Sequence, residues 1–182
     1  MAFNLPSYNT NNFSFGPGIL YIGPSGTTPS IDIGGVRPGM ELRVTRELLE
    51  VYQGSPRTKV KQYVLSENAE LQVTGIEWNL VNLPFIIGAG DTAWNAVIET
   101  FSFGGSPSVQ EVSLAFSHKT PTSQTIWLYI WKAQSTGEMT LNFGDDVHEF
   151  PAVWRALVAT QSWANVALSD TQQLFRIQRQ KS

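Results

Sequence analysis

Two segments of this chain alternate apolar and polar residues at a period of two, and that period predicts β-strands. Met40, Leu42 and Val44 alternate with Glu41, Arg43 and Thr45, while Ala69, Leu71 and Val73 alternate with Glu70, Gln72 and Thr74. A strand points successive side chains to opposite faces, so both segments read as half-buried. Between them lies a polar, basic stretch at about residues 49–63, turned at Gly54-Ser55-Pro56. It is too long for a tight hairpin and too charged to be buried, so it reads as a long extended hairpin loop. Leu49, Val51 and Tyr52 extend the first strand toward it, and the return strand starts near Lys59. Gly75 interrupts the second segment, and Ile76 and Trp78 resume in opposite phase, which predicts a bulge there.

The remainder also reads as β. Residues 1–17 are rich in Asn, Ser, Pro and Gly and predict an N-terminal arm; residues 18–182 predict one domain. Short strands fall at 19–22, 31–36, 112–116, 126–131, at Met139, Leu141 and Phe143, at 150–158 and at 174–178. The segment 126–131 is apolar on both faces, with Ile126, Leu128 and Ile130 opposing Trp127, Tyr129 and Trp131, so it is central or covered by a partner. One or two short helices are expected. Asn79 is a plausible N-cap for residues 80–87, closed by Gly88, with Pro84 tolerable only in the first turn. The second is 91–100, capped by Asp91 or Thr92. The whole predicts a mainly β chain, a sandwich or barrel.

Charge narrows the function classes. Only 15% of the 182 residues are charged, against roughly 25% in a typical soluble domain, so part of the surface is expected to be covered by partners. The net charge of −3 argues against a general nucleic-acid binder. There is no cysteine, hence no disulfide and no thiolate metal site. No signal peptide is read at Met1-Ala-Phe-Asn-Leu-Pro6, and no apolar run approaches the roughly 18 residues of a membrane helix. Arg37, Arg43, Arg46, Arg57, Lys59 and Lys61 are half of the 12 basic residues. From Gln62 to Ser117 there is no Lys or Arg but six acids, Glu67 and Glu70 among them. Such asymmetry suits basic and acidic surfaces meeting between copies.

Motifs for chemistry fail for want of context. Gly88-Ala-Gly-Asp-Thr-Ala93 has the dinucleotide-binding glycine spacing, and Glu111 follows about twenty residues on. The chemistry needs a strand before the glycines and a βαβ crossover around them, which the flanks do not predict. Gly23-Pro-Ser-Gly-Thr-Thr28 lacks a phosphate-binding lysine. Asp145-Asp-Val-His-Glu149 is the one compact group of metal-ligand types, and reads as a solvated turn. His118 reads as a strand-end residue, and no nucleophile motif stands out. No catalytic, cofactor or metal site is therefore expected. Trp127, Tyr129, Trp131, Trp154 and Trp163 could line a sugar-binding face, although aromatics at period two more often fill cores or interfaces.

The order of parts resembles the tail tube (major tail) proteins of long-tailed bacteriophages. The resemblance rests on Phe15-Gly-Pro-Gly-Ile-Leu-Tyr-Ile22, the strand Glu41-Leu-Arg-Val-Thr45 and the loop Tyr52-Gln-Gly-Ser-Pro-Arg-Thr-Lys-Val-Lys61. The return strand Glu67-Asn-Ala-Glu-Leu-Gln-Val-Thr74 and Trp78-Asn-Leu-Val-Asn-Leu83 complete it. It is one of architecture and texture over residues 15–90, without a strict motif. It implies a structural, non-enzymatic subunit forming hexameric rings that stack into a conduit for DNA. The loop residues Tyr52, Arg57, Lys59 and Lys61 would lie between subunits; Glu67 and Glu70 would pair with them or line the lumen. The implied partners are further copies, a tape-measure protein, terminator and tip proteins, and DNA that passes without specific binding. The implied location is the virion tail, assembled in host cytoplasm, with no membrane contact. Two other readings stay open: a carbohydrate-binding or other ligand-binding β-sandwich module, and a tail terminator or completion protein.

Overall fold

The computed structural model describes residues 18–36, 40–77, 79–120, 124–136 and 149–180. The predicted arm 1–17, the strand at Met139, Leu141 and Phe143, Trp78, and all of the Asp145–Glu149 group but Glu149 lie outside them.

The chain is mainly β. Strands β1 (Gly18–Pro24), β2 (Ile31–Asp32), β3 (Glu41–Gln53) and β4 (Thr58–Gly75) come first. A 3₁₀ turn (Leu80–Asn82) and helix α1 (Leu83–Ile87) follow, then β5 (Asp91–Trp94), β6 (Glu99–Ser102), β7 (Glu111–Lys119), β8 (Thr125–Ser135) and β9 (Phe150–Ala156). A 3₁₀ turn (Asp170–Gln172) precedes β10 (Arg176–Arg179). The main sheet is antiparallel throughout, in the order β2-β1-β7-β8-β9-β4-β3.

One edge of β8 is shared by two strands, which gives the fold its sandwich-like form. β9 pairs with Ala133, Gln134 and Ser135, while β10 takes Ile126 to Tyr129. The sheet therefore parts into leaves that enclose a single core. Leu20 and Ile22 of β1, Leu71 and Val73 of β4, Leu114 of β7, Ile130 of β8 and Trp154 of β9 meet there, and Leu83 and Ile86 of α1 join them. A bulge keeps β8 in phase with this core: Val112 faces Ala133 but Leu114 faces Ile130, so Trp131 and Lys132 stand where β7 supplies only Ser113. The extra residue lets both Ile130 and Ala133 point inward.

The helical segment has its expected caps. The Asn79 side chain accepts from Val81 N at 3.1 Å, and Pro84 sits in the first turn of α1, where its missing N–H costs nothing. Gly88 closes the helix in the left-handed region (φ 80°), and a β-carbon there would come within 2.7 Å of Val109 Cγ1. Buried Asn82 donates to Asp32 O (3.1 Å), and the Trp154 indole donates to Phe85 O (3.1 Å), fixing the helix on the sheet.

Three expectations are corrected. The stretch 49–63 is not a loop: strand pairing runs to Gln53 opposite Thr58, leaving a turn of only Gly54, Ser55, Pro56 and Arg57. Its charges lie beside apolar residues at period two, which is compatible with a strand exposed on both faces. Gly75 is not a bulge but the last residue of β4, where a side chain would run into the Phe150 ring. The bulges fall instead between Glu47 and Leu48 and between Val51 and Tyr52. The segment 91–100 is the hairpin β5–β6, not a helix. The Asn95 side chain accepts from the N–H groups of Val97 (2.9 Å) and Ile98 (2.8 Å), so it makes a tight turn where a helix would need to continue.

Candidate assembly interface

The inner part of the β3–β4 hairpin belongs to the domain. Leu71 and Ala69 are buried, Leu42 is half-buried, and β9 pairs with β4 from Glu70 to Gly75. Beyond this point the two strands pair only with each other, as a projecting arm.

The arm is apolar on both faces. Val44, Leu48, Leu49, Val51, Tyr52, Val60, Tyr63, Val64 and Leu65 are all exposed. Register sorts them. Leu48 pairs with Val64 on the face that carries Leu42 and Val44, while Leu49 pairs with Tyr63 on the other. The extra residues, Leu65 and Val60, sit at the two bulges. Each bulge flips the phase of β4, which is why a strict alternation read from Leu71 outward misplaces the tip.

Polar cross-strand pairs hold the arm together. On the Leu42 face, Arg46 meets Glu67 (2.7 Å), and Glu50 gathers Lys59, Tyr52 and Gln62 (2.8 Å to the last). Hydrogen bonding from Lys59, then from Tyr52 and Gln62, lowers the Glu50 carboxyl to about 2; the same bond to Glu50 raises the Tyr52 phenol. On the opposite face, Lys61 Nζ stands 4.7 Å from the Tyr63 ring centre, a cation–π contact, and Ser66 donates to Glu47 (3.2 Å).

The residues singled out in the sequence therefore divide. Tyr52, Arg57, Lys59 and Lys61 do lie together at the end of the arm, and all are exposed. Lys59 is already paired within the chain, and Arg57 makes no ion pair among the described residues. Glu67 and Glu70 lie toward the base: Glu67 is paired with Arg46, and Glu70 with Arg155 of β9 at 2.7 Å. That bond, with help from Asn68, holds the Glu70 carboxyl below its ordinary range. Sequence reasoning carried the first strand to Leu49, Val51 and Tyr52 but gave Leu48, Val60, Tyr63, Val64, Leu65 and Glu50 no role. The signal was present in Leu48-Leu49, Val51, Val60 and Val64-Leu65, hidden by the bulges.

Of the aromatic residues considered for a sugar-binding face, four gather on or beside the outer face of β8 and one does not. Trp154 is in the core. On the outer face of β8, Trp127, Tyr129 and Trp131 stack with one another at 5.9 and 5.6 Å between ring centres, and Tyr21 of β1 stacks on Trp127 at 6.4 Å. Trp163 meets Tyr129 and Trp131 edge-on at 5.4 and 4.8 Å. These rings line a cleft of about 550 Å³ together with residues 162–164 and 166–168. Burial raises the Tyr129 phenol.

No group of three metal-ligating side chains occurs among the described residues, and no helix there is long and apolar enough to cross a membrane. The glycine run at Gly88 joins a helix to an antiparallel hairpin, so the dinucleotide context is absent. Comparison with protein-family models and with curated proteins found no match to this chain.

Proposed function

We propose that the protein is a self-assembling structural subunit, a tail tube protein of a long-tailed bacteriophage that stacks as six-membered rings around a passage for DNA. The observation that carries this reading is the outer arm, residues 45–53 and 58–68, which exposes apolar side chains on both faces and, among the described residues, pairs with no strand outside the hairpin. An isolated two-stranded hairpin is marginal in water, and a long edge that is exposed and apolar is a template for pairing with another chain. Neighbouring copies on both sides of the arm would bury it. Contacts of that head-to-tail kind extend into filaments when they do not close. A tape-measure protein within the tube, terminator and tip proteins at its ends, and a place in the virion tail follow from the same reading.

Within this reading Glu67 and Glu70 are neutralised by Arg46 and Arg155, so cross-subunit charge pairing rests on Arg57 and Lys61. Negative-stain images of purified protein test it. Filaments of uniform diameter are expected; single rings would indicate a terminator, and compact monomers at every concentration would overturn assembly altogether. Arg57→Glu combined with Lys61→Glu should shorten or abolish the tubes, while leaving the Lys59–Glu50 pair in place. Tubes of normal length at ordinary salt would remove the arm's tip from the interface.

A further inference from the structure

A second hairpin stands apart from the main sheet. β5 and β6 pair only with each other, and their turn region presents Trp94 (70% exposed), Val97 (89%) and Ile98 (58%) to solvent. The turn is locked by its own bonds: Asn95 Oδ1 accepts from two backbone N–H groups, and Asn95 N donates to Ile98 O at 2.9 Å. A turn closed in this way keeps its shape without a partner. The apolar tip is thus a preformed knob, and association with it orders little additional chain.

The aromatic cleft on β8 is a matching receptor. Its volume of about 550 Å³ falls within the ordinary range for a binding pocket, and its walls are rich in aromatic rings. Aromatic walls favour further aromatic and aliphatic contacts, as Trp163 already makes edge-on against Tyr129 and Trp131. Charge agrees as well. Arg176 is the one charged residue lining the cleft, and the only charges within residues 91–102 are Asp91 and Glu99. Knob and cleft are built from different residues: the hairpin follows Gly88, beside Val109 and Ser135, while the cleft spreads along β8 from Trp131 to Trp127 and onto Thr28, Pro29, Ser30 and the segment after β9. The tip does not line its own cleft, so joining them takes two copies.

We propose that the β5–β6 tip of one copy docks in the aromatic cleft of the next, with Trp94 and Val97 against the aromatic rings and Glu99 or Asp91 near Arg176. The occupant, a second copy, rests on the assembly reading above; the knob, the cleft and their charges do not. The contact is heterologous and leaves a free knob and a free cleft at the ends, so it propagates.

A photo-crosslinking phenylalanine derivative in place of Val97 tests it, in assemblies grown from mixed isotopically light and heavy copies. Crosslinks between copies are expected into peptides holding residues 127–131 or 162–168. Trp94→Ser should raise the concentration needed for assembly by about thirtyfold, as loss of a central interface tryptophan does. Its exposure makes unfolding an improbable cause, and an unchanged melting temperature checks that. Assemblies whose crosslinks fall elsewhere, or that ignore Trp94→Ser, overturn the docking and leave the assembly reading intact. Wild-type protein that stays monomeric at every concentration overturns both.

Discussion

The inner and outer parts of β4 differ in what covers them, although the same strand makes both. From Glu70 to Gln72 it lies between β3 and β9, β9 continues beside it to Gly75, and Ala69, Leu71 and Val73 are buried in the core with Trp154. From Thr58 to Asn68 its one paired strand among the described residues is β3, and its apolar residues are exposed. Both parts carry β-branched, aromatic and aliphatic residues suited to a pleated surface. Strand propensity therefore does not separate them. The inner part is held by hydrophobic burial, the outer by cross-strand side-chain pairs that are each worth only a few tenths of a kcal/mol to about 1 kcal/mol. The arm is the portion of the fold that has most to gain from a partner.

Substitutions along the strand should therefore act on different quantities. Leu71→Ala removes a fully buried side chain, and should cost about 2–5 kcal/mol of domain stability, read as a lower denaturant midpoint. A midpoint unchanged by this variant would mean that the arm's base is not part of the core. Val64→Ser with Leu65→Ser lies in the arm. It should change the stability of the isolated subunit by no more than about 0.5 kcal/mol per site, yet suppress assembly. Loss of stability equal to that of Leu71→Ala would show that the outer residues are packed within one chain. Unchanged assembly would mean that these two side chains are not buried between copies.

How much of this was legible in the sequence depends on how far a local rule reaches. The period-two residues around Leu42 and Leu71, the Asn79 cap and the Gly88 stop lie where propensity, turn chemistry and burial agree. The arm was misread because two bulges break its alternation, and because charges such as Lys59 and Lys61 mask the apolar residues between them. The β5–β6 hairpin was misread because Asp91 and Thr92 resemble a helix cap. The deciding residue is Asn95, which bonds to the backbone beyond it and turns the chain. Tyr52, Arg57, Lys59 and Lys61 were correctly gathered at one place, since a hairpin brings together residues close in sequence. That Lys59 would be taken by Glu50, and Glu70 by Arg155, depends on register, which alternation alone does not set.

Acid should separate the two parts of β4 by a smaller margin than mutation does. Glu50 has its carboxyl lowered to about 2 from an ordinary value of 4.5. A carboxyl that is more acidic in the folded chain contributes stability above its unfolded value, and that contribution disappears as pH falls through the folded one. The Glu50 network should thus support the arm at any pH above about 4.5 and lose that hold between 4.5 and about 2. Because the group is exposed, the effect is screened by salt and should be modest. Glu70 is shifted in the same direction by Arg155, but β9 and the core keep the inner part of β4 in place when its carboxyl is protonated. Amide protection factors in the isolated subunit should therefore fall first at residues 49–52 and 59–62, and later, if at all, at 70–74. Glu50→Gln should show the weakened arm already at neutral pH and little further change down to pH 2. If its protection profile instead follows that of the unmodified chain across the whole range, the Glu50 network does not hold the arm, and backbone pairing alone keeps the outer strands together.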